Sequence, residues 1–165
     1  MSFYNHQSAL RRPGNKNKIA DKIIGYFPTY FDCLISPFYG TGSLENRFVG
    51  KVKYLIANDF DSEVSNFYNV LMTQPDALIE AIELMPYHQD CFNAFRANLP
   101  SESVLRAAAF LALSNWSYLG KNDTLKFGSQ ENNKRITLRN IKENYKLLVC
   151  NPITTVQFMS FSLVS

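Results

Sequence analysis

Gly40 and Gly42 stand two residues apart, directly after an apolar run, in FDCLISPFYGTGSLENRF over residues 31–48. After a strand, a G-x-G turn lets the chain bend sharply and lets a ligand lie against bare backbone, with the free N–H groups of a helix start turned towards it. Three ligand classes use that device. A phosphate loop ends in Gly-Lys-Ser/Thr, which GTGSLE lacks. A dinucleotide site wants a third glycine where Glu45 stands, for close helix packing below a pyrophosphate. What remains is a ligand without a diphosphate, such as S-adenosylmethionine, whose amino-acid end is compact. Asp59 follows a second apolar run, nineteen residues after Gly40, where a carboxylate can accept both ribose hydroxyl protons. Taken singly, the glycines also suit an ordinary strand-to-helix turn, and Asp59 a helix cap or a turn aspartate in NDFDSE. Together they favour the ligand.

The elements that must position these residues follow from apolar spacing. NKIADKIIGYF places Ile19, Ile23, Ile24 and Phe27 on one helical stripe that Pro28 closes. FDCLIS (31–36) and VKYLIA (52–57) read as buried strands with the short helix SLENRF between them, a βαβ unit whose strands are parallel neighbours. Asp61 or Ser62 can cap a helix with Val64, Phe67, Tyr68 and Leu71 inside. Two more helices carry Leu78, Ile82 and Met85, then Phe92, Phe95 and Leu99. SESVLRAAAFLALSNWSYLG, from Ser101 to Gly120, is apolar almost all round and belongs inside the domain. Residues 121–135 have no period and read as a loop or insertion; 138–149 resume helix, and 154–161 form a last strand.

A chain of 165 residues, 46% hydrophobic and 19% charged, has the size and balance of one soluble domain. Cys33, Cys91 and Cys150 are odd in number and widely spaced, which indicates neither a disulfide framework nor a zinc site and favours a reducing cytoplasm. His6 and His88 are isolated, so no metal centre is expected. No apolar run approaches the roughly 18 residues of a membrane span. The charge is uneven: Lys121 to Lys146 holds seven bases against three acids, and Arg11, Arg12, Lys16, Lys18 and Lys22 open the chain. Such clusters suit a polyanion, although a solvated face explains either one alone.

RRPGNK before the first helix, SPFYGTG after the first strand and IANDFDSEVSNFYNVL after the second resemble the Dam-like family of DNA adenine methyltransferases. Those enzymes move a methyl group from S-adenosylmethionine to the exocyclic amine of adenine in a specific DNA sequence. The resemblance runs from about Leu10 to Tyr118 and more weakly to Phe161. It implies an α/β fold, the N-terminal part of a Rossmann-like methyltransferase sheet with an inserted helical segment, within a single partial domain. Residues of about 10–72 would bind cofactor and about 75–150 would form the helical DNA-recognition segment. Carried over by position, Arg12 and Lys16 fall in the loop over the cofactor, Phe38, Gly40 and Gly42 in the cofactor turn, and Asp59 at the ribose. The basic stretch, with Lys121, Lys126, Lys134 and Arg135, falls where double-stranded DNA would be contacted. For Trp116 and Tyr118, core packing is expected rather than base stacking.

The reaction itself uses D-P-P-Y in this family, because an exocyclic amine is a poor nucleophile: a carboxylate and a carbonyl must accept its hydrogens while an aromatic ring stacks on the flipped base. No D-P-P-Y occurs here, and NPIT at 151–154 reads as a helix-to-strand turn. The expectation is a shortened, catalytically inactive piece with no catalytic residue of its own. It would expose a sheet edge that a second polypeptide carrying the catalytic half could cover. The other reading is a noncatalytic module that holds S-adenosylmethionine or DNA for a partner.

Overall fold

The computed structural model of the chain describes residues 8–118, 124–126 and 129–159. Three short parallel strands, β1 (Cys33–Ser36), β2 (Tyr54–Ala57) and β3 (Thr155–Phe158), form a sheet in the order β1-β2-β3. β1 and β2 pair in parallel with Cys33 opposite Tyr54 and Ser36 opposite Ala57. β3 pairs with the other edge of β2. This is a mixed α/β architecture whose three-stranded parallel sheet accords with the N-terminal part of a methyltransferase fold.

Six helices accompany the sheet: α1 (Ala20–Ile24), α2 (Ser62–Thr73), α3 (Pro75–Leu84), α4 (Gln89–Ala97), α5 (Ser103–Trp116) and α6 (Gln130–Leu148). α5 is the axle of the packing. Its residues from Ala107 to Trp116 are all buried, and α2, α3, α4 and α6 pack against it. Alternation along the strands puts Leu55, Ala57 and Val156 into the same core, continuous with Val64, Phe67, Tyr68 and Leu71 of α2. None of the helices among the described residues is long and apolar enough to cross a membrane.

Several expectations need correction. The first helix is a single turn that ends before Gly25, and Ile19, at its N-cap, is half exposed. Phe27 instead joins an aromatic cluster with Phe31 and Phe48 at 5.9 and 4.9 Å between ring centroids. β1 is not buried on both faces: Ile35 is 67% exposed and Cys33 is exposed, because no described element covers that side. The polar stretch is not loop to its end, since Ser129 caps α6 by accepting from Asn132 N–H and helix begins at Gln130. Tyr118 lies on the surface, whereas Trp116 is buried and its indole N–H donates to Thr137 Oγ1 at 3.2 Å. NPIT, by contrast, is the helix-to-strand turn expected of it, held by Asn151 Oδ1 accepting from the N–H groups of Ile153 and Thr154.

Candidate functional site

Beyond the C-terminal end of β1 the chain turns through Gly40 (φ +54°) and Gly42 (φ +64°), a left-handed conformation that side chains resist. The two glycines are needed for different reasons. A Cβ at Gly42 would sit 2.6 Å from the ring of Tyr39, so that turn is bare because Tyr39 fills it. A Cβ at Gly40 would meet nothing within 4 Å. Tyr39 is buried edge-on to Tyr68 and Phe158, which stack on each other at 4.6 Å, and its hydroxyl donates to Asn46 Oδ1. Burial drives the Tyr39 phenol well above its ordinary pKa, so it remains a neutral donor.

Asp59 follows β2 and meets this turn directly. Its Oδ2 accepts from Gly40 N–H at 2.6 Å and its Oδ1 from Asp61 N–H at 3.0 Å. Each oxygen keeps a further lone pair for a second donor. Asp61 caps α2 by accepting from Glu63 N–H, as expected, and also pairs with Arg12 at 2.7 Å. The Arg12 guanidinium lies 5.9 Å from the centre of the Phe110 ring. A chain of contacts therefore joins the N-terminal loop, the start of α2 and the glycine turn.

The N-terminal loop is strapped down by α5. Ser114 Oγ accepts from Arg11 N–H at 2.9 Å and donates to Arg11 O at 2.7 Å, while Asn115 Nδ2 donates to Ala9 O at 2.7 Å. Lys16 N–H donates to Ser43 Oγ at 3.2 Å, closing the loop onto the turn. Between loop and turn lies a cavity of about 560 Å³, within the range of small-molecule sites. Arg12, Lys16, Phe38, Gly40, Thr41 and Glu45 are among its walls. Phe38 is 77% exposed, an apolar ring left open at the cavity rather than packed in the core. Asp59 anchors the turn and is half-buried beside it, without being a wall of the cavity. Phe60, the next residue, is 81% exposed.

Arg12, Lys16, Phe38, Gly40 and Asp59 thus come together, and Gly42 supports them from behind. The basic residues do not form one cluster. Lys121 lies outside the described residues. Lys126 turns inward, its ammonium donating to Asn115 O; desolvation, with help from Arg11, lowers its pKa to about 8. Lys134 Nζ donates to Glu83 O at 3.0 Å and Arg135 to Asn132 Oδ1 at 2.9 Å. Both face a shallow groove along α6 with Arg139, Lys142 and Lys146. Among the described residues no group of His, Cys, Asp and Glu could hold a metal ion.

Two features escaped the sequence reading. Glu45 attracts notice in the sequence only as an absent glycine, yet it lines the cavity and accepts from Ser36 Oγ at 2.7 Å. The Ser114–Asn115 strap shows in sequence only as a polar pair inside an apolar helix, which says nothing of its partner a hundred residues away.

Residues 13–159 match the family model of the D12 class N6 adenine-specific DNA methyltransferases. The chain is 28% identical over 124 residues to the DNA adenine methylase of Haemophilus influenzae and 29% identical over 123 residues to that of Escherichia coli K12. Each alignment covers 70% of this chain and 42% of the relative, so the chain spans less than half the length of these curated relatives. With its glycine turn, its acid after the second strand and a match over most of its length, the chain belongs to the D12 class of N6 adenine-specific DNA methyltransferases.

Proposed function

We propose that the cavity between the N-terminal loop and the glycine turn binds S-adenosylmethionine, and that the chain is the cofactor-binding portion of an enzyme methylating adenine in double-stranded DNA. The observation that carries this reading is the 2.6 Å hydrogen bond from Gly40 N–H to Asp59, which brings the glycine turn and the acid into one site. The residues present fit such a ligand. Open space at Gly40 leaves backbone for the methionine end. Lys16 offers an ammonium to its carboxylate, Phe38 an apolar wall, and Asp59 two free lone pairs to ribose hydroxyls. Arg12, fixed by Asp61, holds the loop over the cavity. The cofactor supplies an electrophilic methyl group on a sulfonium centre.

In this reading residues of about 10–72 bind cofactor and about 75–150 form the DNA-recognition segment. Lys134 and Arg135 contact phosphates, joined by Lys121 and by Lys126 once its ammonium leaves Asn115. The relatives in Haemophilus influenzae and Escherichia coli are named DNA adenine methylases, which supports DNA as the partner. The 165 residues hold no D-P-P-Y, so transfer needs a motif supplied by other residues, in trans if a second polypeptide carries it. The protein would work in the cytoplasm.

Titration calorimetry with S-adenosylmethionine tests the central claim. Wild-type chain binds, and Asp59→Ala weakens binding at least tenfold, in line with about 1.5–3 kcal/mol for hydrogen bonds to a charged group. Absence of binding at millimolar cofactor, or binding untouched by Asp59→Ala, refutes it. No labelled methyl group should reach unmethylated DNA from this chain alone.

A further inference from the structure

We infer that Glu45 receives the positively charged methionine end of the cofactor, an inference that rests on the assignment of S-adenosylmethionine to this cavity. Glu45 is a wall of the cavity beside Thr41 and Ser43. Its carboxylate is oriented by Ser36, buried at the end of β1, which donates to Oε1 at 2.7 Å, and the nearby backbone N–H dipoles of Leu44 and Glu45 add a favourable field. These donors favour the ionised form, but desolvation outweighs them and raises the carboxyl above its ordinary range, with the negative charge of Asp59 acting in the same direction. Among the described residues no ion pair is made to it. The arginines of the neighbouring loop and helix are engaged elsewhere, Arg12 with Asp61 and Arg47 with Asp21.

A carboxylate that is fixed, desolvated and short of a counter-ion at a cavity wall gains most from a ligand that brings a cation. The methionine end is a zwitterion next to a sulfonium. Its ammonium matches Glu45, and its carboxylate matches Lys16 on the same cavity. The same charge works against the alternative ligand. Where a dinucleotide site has a glycine for close helix packing below the diphosphate, Glu45 places a carboxylate that repels such a group. Glu45 therefore selects between the two adenosine-bearing classes that a glycine turn can serve.

The test compares wild type with Glu45→Gln, each titrated with S-adenosylmethionine and with S-adenosylhomocysteine, which keeps the ammonium and lacks the sulfonium charge. Glu45→Gln weakens S-adenosylmethionine at least tenfold. An equal loss for both ligands assigns the contact to the ammonium, and a loss confined to S-adenosylmethionine assigns it to the sulfonium. A second readout needs no variant. A bound cation drives Glu45 to ionise, so between pH 4.5, the ordinary value, and neutrality, wild-type binding releases protons. The binding enthalpy then changes with the ionisation enthalpy of the buffer. If Glu45→Gln does not fold by circular dichroism, this proton release decides alone. Binding by Glu45→Gln within twofold of wild type, or no proton release, overturns the inference and leaves the cofactor assignment standing. No binding by wild type overturns both.

Discussion

Gly40 and Gly42 look equivalent in the sequence and are not equivalent in the fold. Gly40→Ala meets open space and costs about 1 kcal/mol, the penalty of a left-handed backbone alone. Gly42→Ala adds a collision with the Tyr39 ring, and its cost rises to about 2–4 kcal/mol as the aromatic cluster repacks. Urea denaturation of the two variants should therefore give clearly different midpoints. Lys126 makes a second case. Its native pKa of about 8 lies below the ordinary 10.5, so between those values the unfolded chain binds the proton more tightly and stability rises with pH. Lys126→Met should abolish that rise, read as the difference between the two proteins' melting temperatures at pH 7.5 and 9.5. Buried Tyr39 and Tyr68 act oppositely above pH 10 in both proteins, which the comparison cancels. The glycines and Asp59 were legible because turn chemistry is local. Neither the Tyr39 collision nor the inward turn of Lys126 was legible, since both depend on residues met only after folding.

At the scale of elements, apolar periodicity located α2, α3, α4 and α5 closely, because each has a stripe or a full surface to bury. It misjudged two others for one reason: period says how a segment could pack and not what it packs on. The stripe of the first helix has too little to bury against, so the helix ends after one turn. The polar N-terminal end of α6 gave no apolar signal, yet Ser129 starts the helix by capping it. β1 reads as a fully buried strand, while the structure leaves one of its faces open, with Ile35 prominent. Ile35→Lys should therefore change folding free energy by no more than about 0.5 kcal/mol. It should also slow aggregation in light scattering, because a charge interrupts an exposed apolar edge. A destabilisation of several kcal/mol would mean that this face is covered.

At the scale of the whole molecule, the parallel order β1-β2-β3 places the ends of β1 and β2 side by side, so the turn after one and the acid after the other meet without further help. That much follows from the βαβ pattern and could be read from the chain. The cavity's outer wall could not, because it depends on Arg11 meeting Ser114 and Ala9 meeting Asn115 across more than a hundred residues. Gly50 likewise waits for Thr154, whose hydroxyl accepts its N–H at 2.8 Å. A ribosome delivers the chain from one end only. While the glycine turn and the loop facing it are already in the open, the α5 residues that pin that loop have still to be synthesised. A nascent chain that has emerged only as far as α4 therefore lacks the strap that fixes the loop over the cavity, and the cavity takes its final shape only once α5 has been made.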